Sequence, residues 1–220
     1  MAFMVITIDG PAGAGKGTLA SRLAQIYHLK YLDTGLLYRA VAFKVSQLRK
    51  PFKKQDVVSA ASSLTLKDLK NPSLREEQIG NLASEVSIYP EVRRCLLDFQ
   101  RNFVQKDLSK SQGAVLDGRD IGLIVLPEAP CKIFVTASPE VRAERRLKQL
   151  HQKGIDCIYE VILEDIKLRD ARDRNREISP LRPADDAFIL DTSELGIEEV
   201  IEKACFFVDS KYPQAKKKAE

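Results

Sequence analysis

An apolar run, Met4 to Ile8, passes through Asp9 straight into Gly10-Pro11-Ala12-Gly13-Ala14-Gly15-Lys16-Gly17-Thr18, and a segment of helical periodicity follows. A buried strand, a glycine-rich turn and a helix in that order form the context that a phosphate-binding loop needs. Glycines let successive backbone N–H groups close around phosphate oxygens, and the helix N-terminus adds positive potential. Lys16 reaches the terminal phosphates as a compact charge. A glycine turn beside an incidental lysine would not require strand, loop and helix to agree. One position departs from the usual pattern. Ser or Thr commonly follows the lysine, but here Gly17 intervenes before Thr18. Direct ligation of Mg²⁺ by Thr18 is therefore left open.

The rest of the chain alternates strand and helix signals. Between Lys16 and His28, Leu19, Leu23, Ile26 and Tyr27 fall at helical spacing. Tyr31-Leu32 reads as a short strand, and residues 35–48 as a helix. Further strands are expected at Ala114–Leu116, Lys132–Val135 and Phe188–Leu190. Ser138-Pro139-Glu140 reads as an N-cap, a proline at the first helical position and an acid in the first turn. A last helix runs from Ile197 through Val200, Ile201, Ala204 and Phe207. Five strands, most followed by helices, predict an α/β fold with a parallel sheet. Between Pro51 and Gln112 no strand is evident and helices dominate, broken at Lys70-Asn71-Pro72-Ser73, which predicts an insertion beside the sheet. A chain of 220 residues that is 44% hydrophobic has the material for one globular domain with small excursions.

Several function classes are excluded. No run approaches the ~18–20 apolar residues of a transmembrane helix. The stretch from Phe3 to Ile8 has no basic flank and runs into glycines, unlike a secretory signal. Cys95, Cys131, Cys157 and Cys205 are widely spaced without a C-x-x-C pair, which fits reduced thiols in a cytoplasmic protein and not a zinc site or disulfide framework. His28 and His151 have no evident partners, which disfavours histidine chemistry. Lys216-Lys217-Lys218 reads as a solubilising end. A net charge of +4 is too small to argue for nucleic acid.

Two more clusters fall at strand ends. Asp33-Thr34-Gly35 closes the second strand, and Tyr38-Arg39 follows within the first helical turn. Ligands of open α/β sheets sit beyond the carboxyl ends of the strands, so a hydroxyl and an arginine suited to a phosphate belong near the loop. Asp33-Thr34 equally suits a helix N-cap. Asp117-Gly118-Arg119-Asp120 ends another apolar strand. An acid there orients Mg²⁺ or its waters, the glycine allows close approach, and the arginine grips a phosphate; a tight turn uses the same residue types.

The arginines are unevenly spread. Of 16, 8 lie between Arg142 and Arg182, where there are only 3 lysines. Such crowding suggests fork-shaped recognition of oxyanions, with solvated helix faces as the alternative. Arg142, Arg145 and Arg146 share one helix, read as a lid helix. Arg169, Asp173 and Arg176 have spacings of four and three and so share one face of another. Asp173 either holds its neighbours or takes a ribose hydroxyl.

These motifs, Ile6-Thr7-Ile8-Asp9-Gly10-Pro11 into G-K-G-T, then D-T-G-x-x-Y-R, D-G-R-D-I-G and R-D-x-R-D-R-N-R, together resemble the bacterial cytidylate kinase family over nearly the whole chain. The resemblance implies a P-loop fold with a five-stranded parallel sheet flanked by helices, a nucleotide-monophosphate-binding insertion and a lid. It implies transfer of the γ-phosphoryl of ATP to CMP or dCMP, with Mg²⁺. By position it places Thr34, Tyr38, Arg39 and Arg119 at the acceptor nucleotide, chiefly its phosphate. Ser84, Arg93 and Asp120 meet the base, Arg169 and Asp173 the sugar, and Arg176 the phosphates. Lys16, Asp117, Arg119 and Arg176 form the catalytic set, and Thr18 and Asp33 are the candidate metal ligands. The core is expected at residues 1–40, 110–147 and 165–220, the insertion at 41–109 and the lid at 148–164. Many members carry a longer segment before the Ser84 region; here Leu66 to Leu74 is short, and the insertion is expected to be trimmed. The partners expected are the nucleotides alone, with no nucleic acid or membrane, bound by a monomer.

Three rivals are set aside. A P-loop kinase for AMP, dTMP or shikimate would lack the base-edge set. A P-loop switch would carry Ser or Thr directly after the lysine. A nucleic-acid binder would interleave aromatics with its basic residues, and between Arg142 and Arg182 only Tyr159 is present.

Overall fold

The computed structural model describes residues 3–48, 51–106 and 112–214, so the Lys216–Lys218 tail lies outside the described residues. Five strands form one parallel sheet: β1 (Met4–Asp9), β2 (Lys30–Asp33), β3 (Gly113–Gly118), β4 (Cys131–Thr136) and β5 (Phe188–Asp191). Their order is β2-β3-β1-β4-β5. β1 is central because its residues are almost all buried, as a strand covered on both faces must be. Its register against β3 pairs Ile8 with Asp117 and Asp9 with Gly118, and against β4 it pairs Asp9 with Phe134. The glycine-rich loop and the D-G-R-D turn therefore leave the sheet side by side.

Helices α1 (Lys16–Ile26) and α8 (Ile197–Lys211) cover one face. Leu19 and Leu23 of α1 and Ile201, Ala204 and Val208 of α8 pack on Ile6, Ile8, Val115, Ile133 and Val135. The hydroxyl of Tyr212, just past α8, donates to the Val5 carbonyl at 3.0 Å and accepts from the Val5 N–H at 2.9 Å. α1 is shorter than its apolar spacing predicts. His28 adopts φ +53°, and the Leu29 N–H donates to the Ala24 carbonyl at 2.8 Å. This Schellman stop turns the chain toward β2 and leaves Ile26 exposed.

Two further helices, α6 (Pro139–His151) and α7 (Tyr159–Asn175), form a hairpin with its own small core of Ala143, Leu150 and Ile162, joined by Leu147, Cys157 and Tyr159. Ser138 caps α6 as its sequence predicts, its hydroxyl accepting from the Val141 N–H. Arg176 lies one residue beyond α7 in extended conformation, so it does not continue the face that carries Arg169 and Asp173.

The described residues of Met1–Leu32 and Asp107–Glu220 form one compact unit, and those of Asp33–Lys106 form a second. The second begins at Asp33 because α2 (Thr34–Ser46) is one continuous helix. It continues with α3 (Lys54–Ser62), α4 (Glu77–Val86) and α5 (Pro90–Gln105), with no strand beyond Asp33 among the described residues. Between α3 and α4 run two short 3₁₀ turns, Asp68–Lys70 and Pro72–Arg75, the latter capped by the Asn71 side chain.

Candidate active site

The glycine-rich loop is shaped by its neighbours. A Cβ on Gly10 would lie 1.9 Å from the Val135 carbonyl oxygen, so only glycine lets the chain leave β1 this close to β4. Gly13 and Gly15 take φ of +78° and +92°, the left-handed region that opens backbone N–H groups toward an anion. The Lys16 ammonium is buried and donates to the Pro11 carbonyl at 2.8 Å. Burial, seconded by Arg119 and Arg169, pushes its pKa down to about 7 against the pull of Asp117 and Asp9.

Asp9, at the end of β1, is a buried anchor to which the sequence reading gives no role. Its carboxylate accepts the N–H groups of Ile121 at 2.8 Å and Gly122 at 2.7 Å. These bonds anchor the π-helical turn Ile121–Val125 and so fix the D-G-R-D segment before it. Burial raises the Asp9 pKa to about 6, the two N–H bonds pull it back, and Asp120 pushes it up again. The acid that closes β1 is visible in the sequence, but the amides it holds are not.

Asp117 is buried and accepts the Tyr31 hydroxyl at 3.1 Å. A Cβ on Gly17 would sit 3.6 Å from that hydroxyl and 3.8 Å from the Asp117 carboxylate. The residue that replaces the usual Ser or Thr thus lies under a carboxylate already held in place. Thr18 is exposed, and Asp120 is buried. Arg119 donates from Nε to Asp173 at 3.0 Å and from Nη1 to the Gly118 carbonyl at 3.1 Å. Arg176 approaches the same carboxylate at 3.9 Å and donates from Nε to the Ser179 carbonyl. Burial would raise the Asp173 pKa, but Arg119 and Arg176 hold it below the usual carboxylate range. Lys16, Asp117, Arg119, Arg169, Asp173 and Arg176 are thus electrostatically linked within the first unit.

The second unit carries the other sequence-derived residues on three helices. Thr34 is buried at the start of α2, and Asp33 caps that helix by accepting the Leu36 N–H at 3.2 Å. That bond occupies one oxygen of a candidate metal ligand. Arg93 of α5 lies over the Tyr38 ring of α2, 5.7 Å from its centre. Arg39 donates to the carbonyls of Leu74 at 2.7 Å and Glu76 at 3.1 Å. Gly80 of α4 leaves room for it, since a Cβ there would meet the guanidinium at 2.6 Å. Ser84, one turn further along α4, donates to the Gly80 carbonyl at 3.3 Å.

The arginine cluster separates differently from its sequence reading. Arg142 is neither lid surface nor solvated. It is 1% exposed and pairs through both terminal nitrogens with the carboxylate of Asp170 on α7, which is 4% exposed. Arg145 is directed at Thr192. Among the described residues no group of three or more His, Cys, Asp or Glu could hold a metal ion, and no helix is long and apolar enough to cross a membrane. All four cysteines are free thiols.

The cytidylate kinase family model matches residues 6–210, from β1 to the end of α8. The chain belongs to the cytidylate kinase family. A family member from Paramagnetospirillum magneticum, named cytidylate kinase, is 50% identical over 210 residues, covering 94% of this chain and 98% of that one. Another of that name, from Methylocella silvestris, is 48% identical over 208 residues, covering 94% of each. Among solved structures, an unliganded sugar kinase from a Janibacter species superposes with a TM-score of 0.50 at 15% identity, over 97% of this chain and 98% of that one. That likeness is one of fold.

Proposed function

We propose that the chain transfers the γ-phosphoryl group of ATP to CMP or dCMP, in line and without a covalent enzyme intermediate. The observation that carries this reading is the register of β1 against β3, which sets Lys16 and its loop beside Asp117, Arg119 and Asp120. Phosphoryl transfer runs through a loose transition state, so the protein's work is to position groups and stabilise charge. The loop amides and Lys16 hold the β- and γ-phosphates of ATP. Arg119 and Arg176 neutralise the transferring group, and Thr34, Tyr38 and Arg39 serve the acceptor phosphate.

Mg²⁺, when it accompanies ATP, supplies charge neutralisation between the phosphates; Thr18 and, through water, Asp117 or Asp33 are the residues that would hold it. A hard cation carried mostly by phosphate oxygens needs only one or two protein oxygens, which suits described residues among which no group of three or more His, Cys, Asp or Glu could hold a metal. Cytosine presents an amino donor beside two acceptors, matching a carboxylate at Asp120 with donors at Arg93 and Ser84. Arg169 and Asp173 serve the sugar. Residues 41–109 act as the acceptor domain, in shortened form, and 148–164 as a lid that limits hydrolysis of ATP by water. The working unit is a cytoplasmic monomer.

ADP release measured with ATP and a panel of CMP, dCMP, UMP, AMP and dTMP tests the reading. CMP and dCMP are expected to be the preferred acceptors. Activity with AMP and not CMP would overturn the specificity and leave a kinase; no ADP with any acceptor would overturn both.

A further inference from the structure

A phosphate cradle works only if its peptide N–H groups face the anion. In a trans peptide the C=O of one residue and the N–H of the next point in opposite directions. A donor that seizes a loop carbonyl from the buried side therefore turns the following amide outward. Two carbonyls of this loop are seized in that way. The Ala12 carbonyl accepts Arg142 Nη1 at 3.2 Å, and the Ala14 carbonyl accepts the Thr192 hydroxyl at 3.3 Å. Arg142 and Thr192 are 1% and 2% exposed, whereas the amides that follow belong to Gly13 and Gly15 on the open side of the loop.

Both donors are themselves held in place. Arg142 donates from Nε to the Ala137 carbonyl at 2.9 Å and forks onto Asp170, so its guanidinium has one orientation. Its aliphatic stem lies along Gly13, where a Cβ would come within 3.4 Å. Arg145 donates from Nη1 to the Thr192 hydroxyl at 3.0 Å and from Nη2 to the Thr192 carbonyl at 2.6 Å. A guanidinium has only donors, so the hydroxyl must accept from it and spend its single proton on a carbonyl. The carbonyls in reach are those of Ala14 and, at 3.1 Å, Thr136.

We propose that Arg142, and Arg145 acting through Thr192, are positioning residues that set the loop amides of Gly13 and Gly15 for the phosphates of ATP. The inference rests on the reading that this loop takes ATP. The test is steady-state kinetics on Thr192→Val and Thr192→Ser, with thermal unfolding of each. Thr192→Val keeps the shape and loses the hydroxyl; it is expected to raise the KM for ATP about 10-fold, the cost of one buried hydrogen bond. The KM for CMP is expected to stay within about 2-fold. Thr192→Ser restores the hydroxyl and is expected to restore the KM for ATP. Equal changes in both KM values, no change in either, or failure of serine to rescue would overturn the inference. Should Thr192→Val not fold, Arg145→Met decides by the same split, with a change confined to ATP expected. An unaltered chain that binds no ATP by calorimetry would instead reject the reading beneath it.

Discussion

Lys16 and Asp9 are two buried charges at the ends of one short loop, and each makes a measurable demand. Lys16→Ala removes the loop side chain proposed to hold the terminal phosphates of ATP. We expect kcat to fall by about 10²–10³-fold while the thermal midpoint moves little, because the ammonium contributes a single hydrogen bond and is penalised by its burial. Near-normal turnover would reject the assignment of the loop.

Asp9 titrates at about 6 in the folded chain against 3.8 for an ordinary Asp. Between those values the folded state holds more protons than the unfolded state. Stability contributed by Asp9 is therefore present below about pH 4 and is lost as pH rises toward 6. Relative to Asp9→Asn, the unaltered chain should lose on the order of 3 kcal/mol across that window and then stay level. Denaturant unfolding at a series of pH values checks this, and a difference that rises with pH would contradict the burial of the carboxylate. The loop lysine was legible because spacing and residue type alone identify it. Asp9 was not, since its partners, the amides of Ile121 and Gly122, lie more than a hundred residues away and carry no sequence signature.

The α6–α7 hairpin shows where sequence reading reaches its limit. Helix starts were readable, as Ser138-Pro139-Glu140 illustrates, because caps depend on adjacent residues. Whether an arginine points inward depends on what another helix brings to meet it. Nothing in the spacing ties residue 142 to residue 170, so the sequence places Arg142 on a lid helix where the structure holds it in a buried fork on Asp170. Removing one partner leaves the other charge buried and unpaired. Asp170→Leu alone should cost about 3–5 kcal/mol. Combining it with Arg142→Met should recover part of that loss, though the carbonyls of Ala12 and Ala137 still lose a donor. Chemical unfolding of the two single variants and the double variant gives the coupling energy, and simple additivity would mean the pair is not coupled in solution. The fork ties the loop at Ala12 to α7, the helix that carries Arg169 and Asp173.

Across the molecule, parallel topology was the most legible property, because alternating strands and helices admit few arrangements. The division at Leu32/Asp33 was less so, since a helix that closes the strand motif belongs by packing to the second unit. A ligand that binds only the folded chain stabilises all of it. ATP at about 100 times its Kd should add about 2.7 kcal/mol, seen as a raised thermal midpoint, and Lys16→Ala should abolish most of that gain. A shift of the same size in the variant would place ATP elsewhere.

The central strand also sets an order of events during synthesis. β1 is made before the other four strands, yet its neighbours begin at Gly113 and Cys131, and the hydroxyl that ties off Val5 belongs to Tyr212. Its hydrogen-bonding edges must wait for more than a hundred further residues to be made, so the nascent chain carries an unpaired strand edge through that interval. Slowing the ribosome between the first and third strands would lengthen that interval.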